Sequence, residues 1–486
     1  MAKRSKSQVP PRLAQFLKDR RSFTPSPDYP EANANFDGLY AAVQDVLAKA
    51  GVGGLRPPVA DALTRGPTPR PILKALAVVY PTVDFDSFLE PETVEIIDSA
   101  RRLSEGIVRL KAARATLKQR RSELSQIACS YYLGHADPRS LAKVDFDFPL
   151  LQRNEWKLAS PLPLHQLECH FEHTPDRSPA RIFPGMDVSY SSVLASLSQD
   201  SMLWNGHAYR LTGVHPAGKI GQPPRLTFGP GDYFGYLNTC EVLGMELAEK
   251  AVSGPALRVP QRLPWRGRLE DAFDFSNRCA VAGLNCLMAF TDYKPNPGGP
   301  AKSVFLMHDR KGGPTVEAGD VRHVVPAGTF QSIADGDEEH DRDFSISRTL
   351  ARELFEEVFG MTEVEQQRGD LVDPMAEEPY ASALKVFRDK RHTRIYFLGL
   401  GLDPVTTKPE LLFVAISSWR RLVEANGLKL SPNGEGKVKM LALSKERLAQ
   451  EAATSDMLAA GAACMSLAAE HYDALFARGL FAALIG

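Results

Sequence analysis

Residues 348–360 read "RTLARELFEEVFG", and this stretch carries the strongest structural signal in the chain. Apolar residues recur every four positions, at Ile346, Leu350, Leu354 and Val358. This spacing predicts a helix with a buried apolar ridge. Three glutamates stand three and four positions apart and therefore share another face: Glu353, Glu356 and Glu357. Because three carboxylates on one face repel each other, either bulk water or a cation must stabilise them.

The glutamate triplet therefore has two interpretations. It is the solvated face of a surface helix, since glutamate favours helices, or it is an oxygen-rich site for Mg²⁺ or Mn²⁺. Arg352 stands four positions before Glu356, and we expect these two side chains to form an ion pair that orients the carboxylate.

The motif "RELFEE" (Arg352–Glu357) resembles the signature helix of the Nudix superfamily at every specified position. The preceding "VVPAGTF" resembles the turn before that helix, with Gly328 as the signature glycine. The resemblance covers about residues 275–450 and implies an α/β/α sandwich with a mixed sheet. It also implies metal-binding, catalytic carboxylates oriented by Arg352: Glu353, Glu356 and Glu357. The implied reaction is hydrolysis of the pyrophosphate bond in a nucleoside diphosphate linked to another moiety, with Mg²⁺ or Mn²⁺ activating water.

Three features depart from the family pattern. Ala327 replaces the second glycine of the turn, the spacer before Arg352 is longer, and Gly360 follows one residue later than usual. Because of the longer spacer, the upstream glutamate of the signature is Glu338, Glu339 or neither.

Two further segments have alternative interpretations. The acidic insert Asp335–Asp343 is either a mobile solvated loop or a flap that supplies an outer metal ligand. Glu435, in "SPNGEGK", is either an ordinary turn residue or the general base that reaches the attacking water.

The whole chain is predicted to be a multidomain α+β protein. The predicted regions are a flexible tail (1–35), a helical region with a heptad helix (36–134), an α+β region of unknown role (150–270), the Nudix-like domain (275–450) and C-terminal helices (451–486). Strands in the Nudix-like region are predicted at "RCAVAGLNCLMAFTDY", "KSVFLMHDRK", "VRHVVPAGTF", "SALKVF", "TRIYFLGLGL", "ELLFVAI" and "KVKMLAL".

A leucine heptad runs through the helical region, at Leu103, Leu110, Leu117 and Leu124, and Tyr131 continues it. A heptad is typical of a coiled coil, but Arg114 and Arg121 occupy the seam. The stretch is one long helix or a helical pair. In order of preference it packs inside its own domain, forms a homodimer through residues 100–131, or contacts nucleic acid through its basic side chains.

Composition sets the broad class of the protein. Of the 486 residues, 43% are hydrophobic and 24% are charged, as in ordinary globular proteins. The net charge of −1 gives no global field that would attract nucleic acid or an anionic membrane. The six cysteines form no disulfide framework, and the chain shows neither a signal peptide nor a long apolar run. We therefore expect a cytoplasmic protein.

The segment "HQLECHFEH" contains four residues of types that bind zinc: His165, Cys169, His170 and His173. If the segment is a strand, Cys169 and His170 point to opposite faces. An ordinary strand or loop is therefore favoured over a zinc site.

Three hypotheses for the whole protein follow. The first is the divalent-metal-dependent hydrolase described above. The second is a non-catalytic Nudix-like sensor that binds a nucleotide-type small molecule and whose N-terminal domains give the response. The third is a scaffold in which the heptad helix dimerises.

Overall fold

The computed structural model describes residues 16–50, 70–83, 91–135, 141–143, 150–176, 178, 189–197, 205–215, 224–251, 263–269, 271–296, 298–310, 321–333, 343–361, 373–431 and 436–476. The chain divides into two compact units. The first comprises Met1–Gly106 and Gly185–Asp187, and the second comprises Ile107–Pro184 and Val188–Gly486. The regions predicted at 150–270 and 275–450 thus share one compact unit.

The fold contains both helices and strands. The α-helices are α1 (Phe36–Lys49), α2 (Arg70–Val79), α3 (Pro91–Gln119), α4 (Arg121–His135), α5 (Tyr190–Leu197), α6 (Tyr233–Tyr236), α7 (Val242–Ala251), α8 (Ile346–Phe359), α9 (Tyr380–Arg388), α10 (Lys445–Ala452), α11 (Ala459–Glu470) and α12 (Tyr472–Phe476). The strands are β1 (Leu141–Lys143), β2 (Leu151–Arg153), β3 (Leu162–Pro163), β4 (Cys169–Phe171), β5 (His207–His215), β6 (Arg225–Asp232), β7 (Gly283–Tyr293), β8 (Lys302–Arg310), β9 (Val321–Val324), β10 (Ala327–Thr329), β11 (Thr393–Leu402), β12 (Pro409–Ser417) and β13 (Gly436–Ala442).

The first unit has its own hydrophobic core, built by α1, α2 and the segment before them. Phe16, Leu17 and Tyr29 are buried in this core together with apolar residues of both helices. The prediction of a flexible tail over 1–35 is therefore wrong for residues 16–35. Three apolar side chains among the polar ones give this segment enough buried surface to fold onto α1 and α2.

The second unit is organised by a ten-stranded mixed sheet in the described residues. Its main strand order is β1-β2-β11-β12-β7-β8-β13, while β10 pairs with β7, β9 with β8 and β3 with β11. Strands β12 and β7 are parallel, whereas β7–β8, β11–β12 and β8–β13 are antiparallel. Every residue of β12 is buried. A fully buried strand indicates that both faces of the sheet are covered.

Helices cover the two faces of this sheet. Alternate residues of β12 (Leu412, Val414 and Ile416) lie in one apolar cluster with α10, α11 and α12. Helix α8 contacts β7 and β10, but its buried apolar residues lie outside that cluster. We infer that α8 covers the opposite face. The α+β fold class is thus confirmed.

The middle region forms a smaller sheet that is joined to the large one. Strand β6 pairs in parallel with β4 and antiparallel with β5. The backbone amides of Tyr209 and Leu211 in β5 donate to the carbonyl oxygens of Phe330 and Ala280, at 2.8 and 2.9 Å. These bonds connect the small sheet to the residue that follows β10 and to the segment that precedes β7. Both β7 and β10 contact α8.

The heptad region is a pair of helices, α3 and α4, and three of its leucines face the chain's own core, while the side chain of Leu103 lies outside the described residues. Leu110, Leu117 and Leu124 are buried in the second unit. Arg121, on the predicted seam, bonds to Asp403 at 2.6 Å. The preferred interpretation, a helix packed inside its own domain, therefore accounts for the pattern. These buried leucines offer no seam for a coiled-coil partner.

Some basic side chains of this region have acidic partners within the chain. Arg109 pairs with Glu249 at 3.4 Å and Arg120 with Glu123 at 2.5 Å. This pairing reduces the positive field that a nucleic acid would need.

One predicted strand is wrong. The segment "SALKVF" lies in helix α9, where Ala383, Leu384 and Phe387 are buried. The spacing of these residues is helical, and the short β-prone run "KVF" obscured it.

In the described residues, no helix combines the length and apolarity that a membrane crossing requires.

Candidate functional site

Helix α8 is the predicted acidic helix, and its ends are well defined. The Ser345 side chain accepts a hydrogen bond from the Arg348 amide, and Gly360 ends the helix at φ 72°. This left-handed conformation favours glycine. The predicted apolar ridge is confirmed, since its four residues are buried: Ile346, Leu350, Leu354 and Val358. The displaced glycine of the motif is therefore a helix cap.

Glu357 is the most enclosed of the three carboxylates. Its Oε1 accepts a hydrogen bond from Arg310 Nη2 at 2.5 Å, and its Oε2 accepts one from the Ala327 amide at 2.9 Å. His308 Nδ1 lies 3.7 Å from Oε1, beyond hydrogen-bond range. Both carboxylate oxygens are therefore engaged by groups of the protein itself.

Glu353 packs against Gly328, the residue predicted as the signature glycine. A Cβ atom at position 328 would lie 2.2 Å from the Glu353 carboxyl carbon. Only glycine permits this approach, because real Cβ atoms do not come so close. Glu353 and Gly328, both of which belong to the motif that resembles the Nudix signature, are thus in direct contact.

Arg352 is buried and bonds mainly to Glu353. Its Nη2 lies 2.8 Å from Glu353 Oε1, whereas its Nε lies 4.0 Å from Glu356 Oε2. The predicted ion pair with Glu356 is therefore only at the limit of an ion-pair contact. The neighbouring Glu353 takes the short bond instead.

The three carboxylates are largely withdrawn from solvent. The side chains of Glu353, Glu356 and Glu357 are 13%, 11% and 5% exposed. The interpretation as a solvated surface is therefore wrong. The compensating cations in the structure are Arg310 and Arg352.

The electrostatics reflect this compensation. Burial is the largest influence on Glu357 and would raise its pKa, but Arg310, His308 and the Ala327 amide together outweigh it and hold the pKa below its usual range. Burial would lower the pKa of Arg352, but Glu353 and Glu356 outweigh it and raise the pKa. The charged forms of all these groups therefore stabilise one another.

As arranged, these residues do not fit a resident divalent ion. Both oxygens of Glu357 are bonded to protein donors, and Glu353 is bonded to Arg352. Across the described ranges, no three His, Cys, Asp or Glu side chains converge as a metal-binding group. A site for Mg²⁺ or Mn²⁺ that includes Glu357 would first require Arg310 to leave that carboxylate.

Sequence reasoning missed Arg310 and His308. Both lie in β8, two positions apart, and face Glu357. The alternation of a strand places residues two apart on one face, so the run "MHDR" contained the signal. What sequence could not show is that this face lies beside α8.

Asp343 connects the start of α8 to the preceding turn. It is buried and accepts hydrogen bonds from the Ser332 hydroxyl at 3.3 Å and the Ile333 amide at 3.1 Å. Arg348 Nε lies 3.5 Å from it. The last residue of the predicted acidic insert is thus part of the folded site, while the rest of the insert lies outside the described residues.

Three other predicted site residues also lie outside the described residues: Glu338, Glu339 and Glu435. The predicted roles of an upstream signature glutamate and of a general base stay predictions.

The histidine and cysteine cluster near residue 170 shows no sign of a metal site. Strand β4 contains Cys169 and His170, and the His173 ring packs edge-on against Phe171. Burial raises the pKa of the Cys169 thiol to about 12. Within the described residues, these side chains do not converge into a group of three or more that could hold a metal ion.

No protein-family model matches the chain, and no curated protein matches it.

Proposed function

We propose that residues 275–450 form a Nudix-like domain that binds a nucleotide-type small molecule without hydrolysing it. The domain acts as a sensor, and the large N-terminal part of the chain gives the response. The ligand class rests on the resemblance of "RELFEE" and Gly328 to the Nudix signature.

The engagement of Glu357 by Arg310 and the Ala327 amide supports the absence of turnover. A carboxylate that is bonded on both oxygens has little capacity left for a divalent ion. An arginine that is held nearby supplies the positive charge instead. Some 270 residues precede the domain, which is more chain than a simple hydrolase requires.

The second candidate is the Mg²⁺- or Mn²⁺-dependent hydrolase of pyrophosphate bonds. It is favoured by one observation, the close packing of Glu353 on Gly328, which keeps the acidic cluster compact and enclosed. For this candidate, Glu353, Glu356 and Glu357 are the metal-binding residues.

A panel of dinucleotides separates the two candidates. The wild-type protein and the variants Glu356→Gln and Glu357→Gln are incubated with each compound, with and without Mg²⁺, and binding and cleavage are both measured. Binding without cleavage supports the sensor. Metal-dependent cleavage that either substitution abolishes contradicts the sensor and supports the hydrolase.

A variant at Arg310 sharpens the distinction. Arg310→Gln removes the cation from Glu357, while Arg310→Lys retains a charge as a matched control. If Arg310 substitutes for a metal ion, Mn²⁺ affinity measured by electron paramagnetic resonance rises in Arg310→Gln and not in Arg310→Lys. Equal Mn²⁺ binding by wild type and both variants contradicts this role for Arg310.

A further inference from the structure

A cavity of about 550 Å³ lies between the first turn of α8 and helix α9. It opens to solvent, and its volume falls within the range typical of small-molecule sites. The apolar part of the wall is formed by Met375, Ala376, Ala381 and Leu384. Met375 and Leu384 are buried beneath it, whereas Ala376 is exposed and Ala381 half-buried. The other five wall residues are charged, with three basic and two acidic side chains.

The acidic groups of this wall are already paired. Asp373 contacts Arg348 Nη2, and Asp389 is bonded to Arg391 at 2.6 Å. Arg348 also lies 3.5 Å from Asp343, so its charge is shared between two carboxylates. These three wall residues therefore contribute little net field to the cavity.

Lys385 and Arg388 supply the uncompensated charge. They stand three positions apart in the last turn of α9, both are exposed, and both line the cavity. Basic residues in a last helical turn also complement the helix dipole. That general role does not explain why both side chains border one cavity with an apolar wall.

We propose that this cavity binds an organic phosphate. The phosphate group lies between Lys385 and Arg388, and the apolar body lies on the apolar wall, whose accessible side chains are Ala376 and Ala381. Two cations on one side and an apolar surface on the other match a phosphate monoester with an aromatic or aliphatic body. The site is separate from the carboxylates of α8, and the inference does not depend on the function proposed for them.

Phenyl phosphate is a suitable probe because it combines both features. Its binding to the full chain is measured by isothermal titration calorimetry, beside inorganic phosphate and phenol, each of which has only one feature. We expect phenyl phosphate to bind more tightly than either. In the Lys385→Gln/Arg388→Gln variant, we expect its affinity to fall about tenfold or more through loss of two charge-assisted contacts.

The matched control is Lys429→Gln/Lys437→Gln, which removes the same charge from exposed positions elsewhere in the second unit. It should bind phenyl phosphate as the wild type does. The proposal is overturned if the wild type does not bind phenyl phosphate at millimolar concentration. It is also overturned if the Lys385/Arg388 variant binds normally, or if the control variant loses the same affinity. Thermal unfolding of each variant verifies that the fold is retained.

Discussion

The Glu357 carboxylate on helix α8 and the Arg310 guanidinium on strand β8 are bonded at 2.5 Å. The other oxygen of Glu357 accepts the amide of Ala327 on strand β10. One side chain therefore ties the helix to two strands of the sheet. Since Glu357 is buried and Arg310 is only partly exposed, this link should contribute to stability as well as to the properties of the site.

Arg310→Met tests this contribution. The substitution leaves the buried Glu357 charge without its cation, and an unpaired buried charge is costly. We expect the free energy of unfolding, measured by urea denaturation, to fall by about 2–4 kcal/mol.

The double variant Arg310→Met/Glu357→Gln is the control, because a neutral glutamine no longer needs the cation. It should be more stable than the sum of the two single effects predicts, with a coupling of about 1–3 kcal/mol. Strict additivity would mean that the bond adds nothing to the fold.

Gly328→Ala tests the contact between the turn and Glu353. The new methyl group would overlap the carboxyl group, at 2.2 Å from its carbon. The backbone at Gly328 does not require glycine, so the cost comes from displacing the Glu353 carboxyl group, which would give up its bond to Arg352 at 2.8 Å. We expect the variant to lose about 2 kcal/mol in urea denaturation.

A second substitution identifies the clashing group. In the Glu353→Ala background the carboxyl group is absent, so Gly328→Ala should cost little more. Gly267→Ala is a matched control, since the nearest atom to a new Cβ there is 3.7 Å away. A large loss of stability in Gly267→Ala would indicate a general cost of alanine and not a clash.

The acidic helix and most of its sheet could be predicted from the sequence. Helix α8 has four ridge residues at regular spacing, and β7, β8, β11 and β12 are long, strongly apolar runs. Hydrophobic patterns of this length predict the type of secondary structure, helix or strand. Helix α9 is short, and the β-prone run within it outweighed its helical spacing.

The partners of the carboxylates could not be predicted in the same way. Arg310 is far from Glu357 in the chain, and only the packing of α8 beside β8 brings them together. Within the helix, sequence spacing favoured Arg352 with Glu356, but the short bond goes to the adjacent Glu353. Local spacing shows which side chains are near each other, whereas burial and rotamer decide which of them bond.

His323 should make stability depend on pH. Burial first, and then Arg310, lower its pKa well below the usual range, so it stays neutral in the folded protein. Below about pH 6.5 the unfolded chain protonates this histidine while the folded chain does not. The unfolded state then binds more protons, and stability falls as the pH falls through this window, by at most about 1.4 kcal/mol per pH unit.

His323→Leu removes this contribution. Urea denaturation between pH 6.5 and pH 5 should therefore show a shallower loss of stability for the variant than for the wild type. His170→Leu, at an exposed position, should retain the wild-type dependence. Identical slopes for wild type and His323→Leu would contradict burial of a neutral histidine.

The leucine heptad provides the last prediction, since a buried leucine and an exposed valine occur in the same helix. Leu117 is 4% exposed and lies near Gly244 of α7, whereas Val108 is 65% exposed. Leu117→Ala leaves a cavity in the chain's own core and should cost about 3 kcal/mol. Val108→Ala should change stability by less than about 0.5 kcal/mol.

Because the cavity lies within one chain, the loss in Leu117→Ala should be the same at low and high protein concentration. A loss that grows on dilution would instead show that Leu117 packs against a second copy.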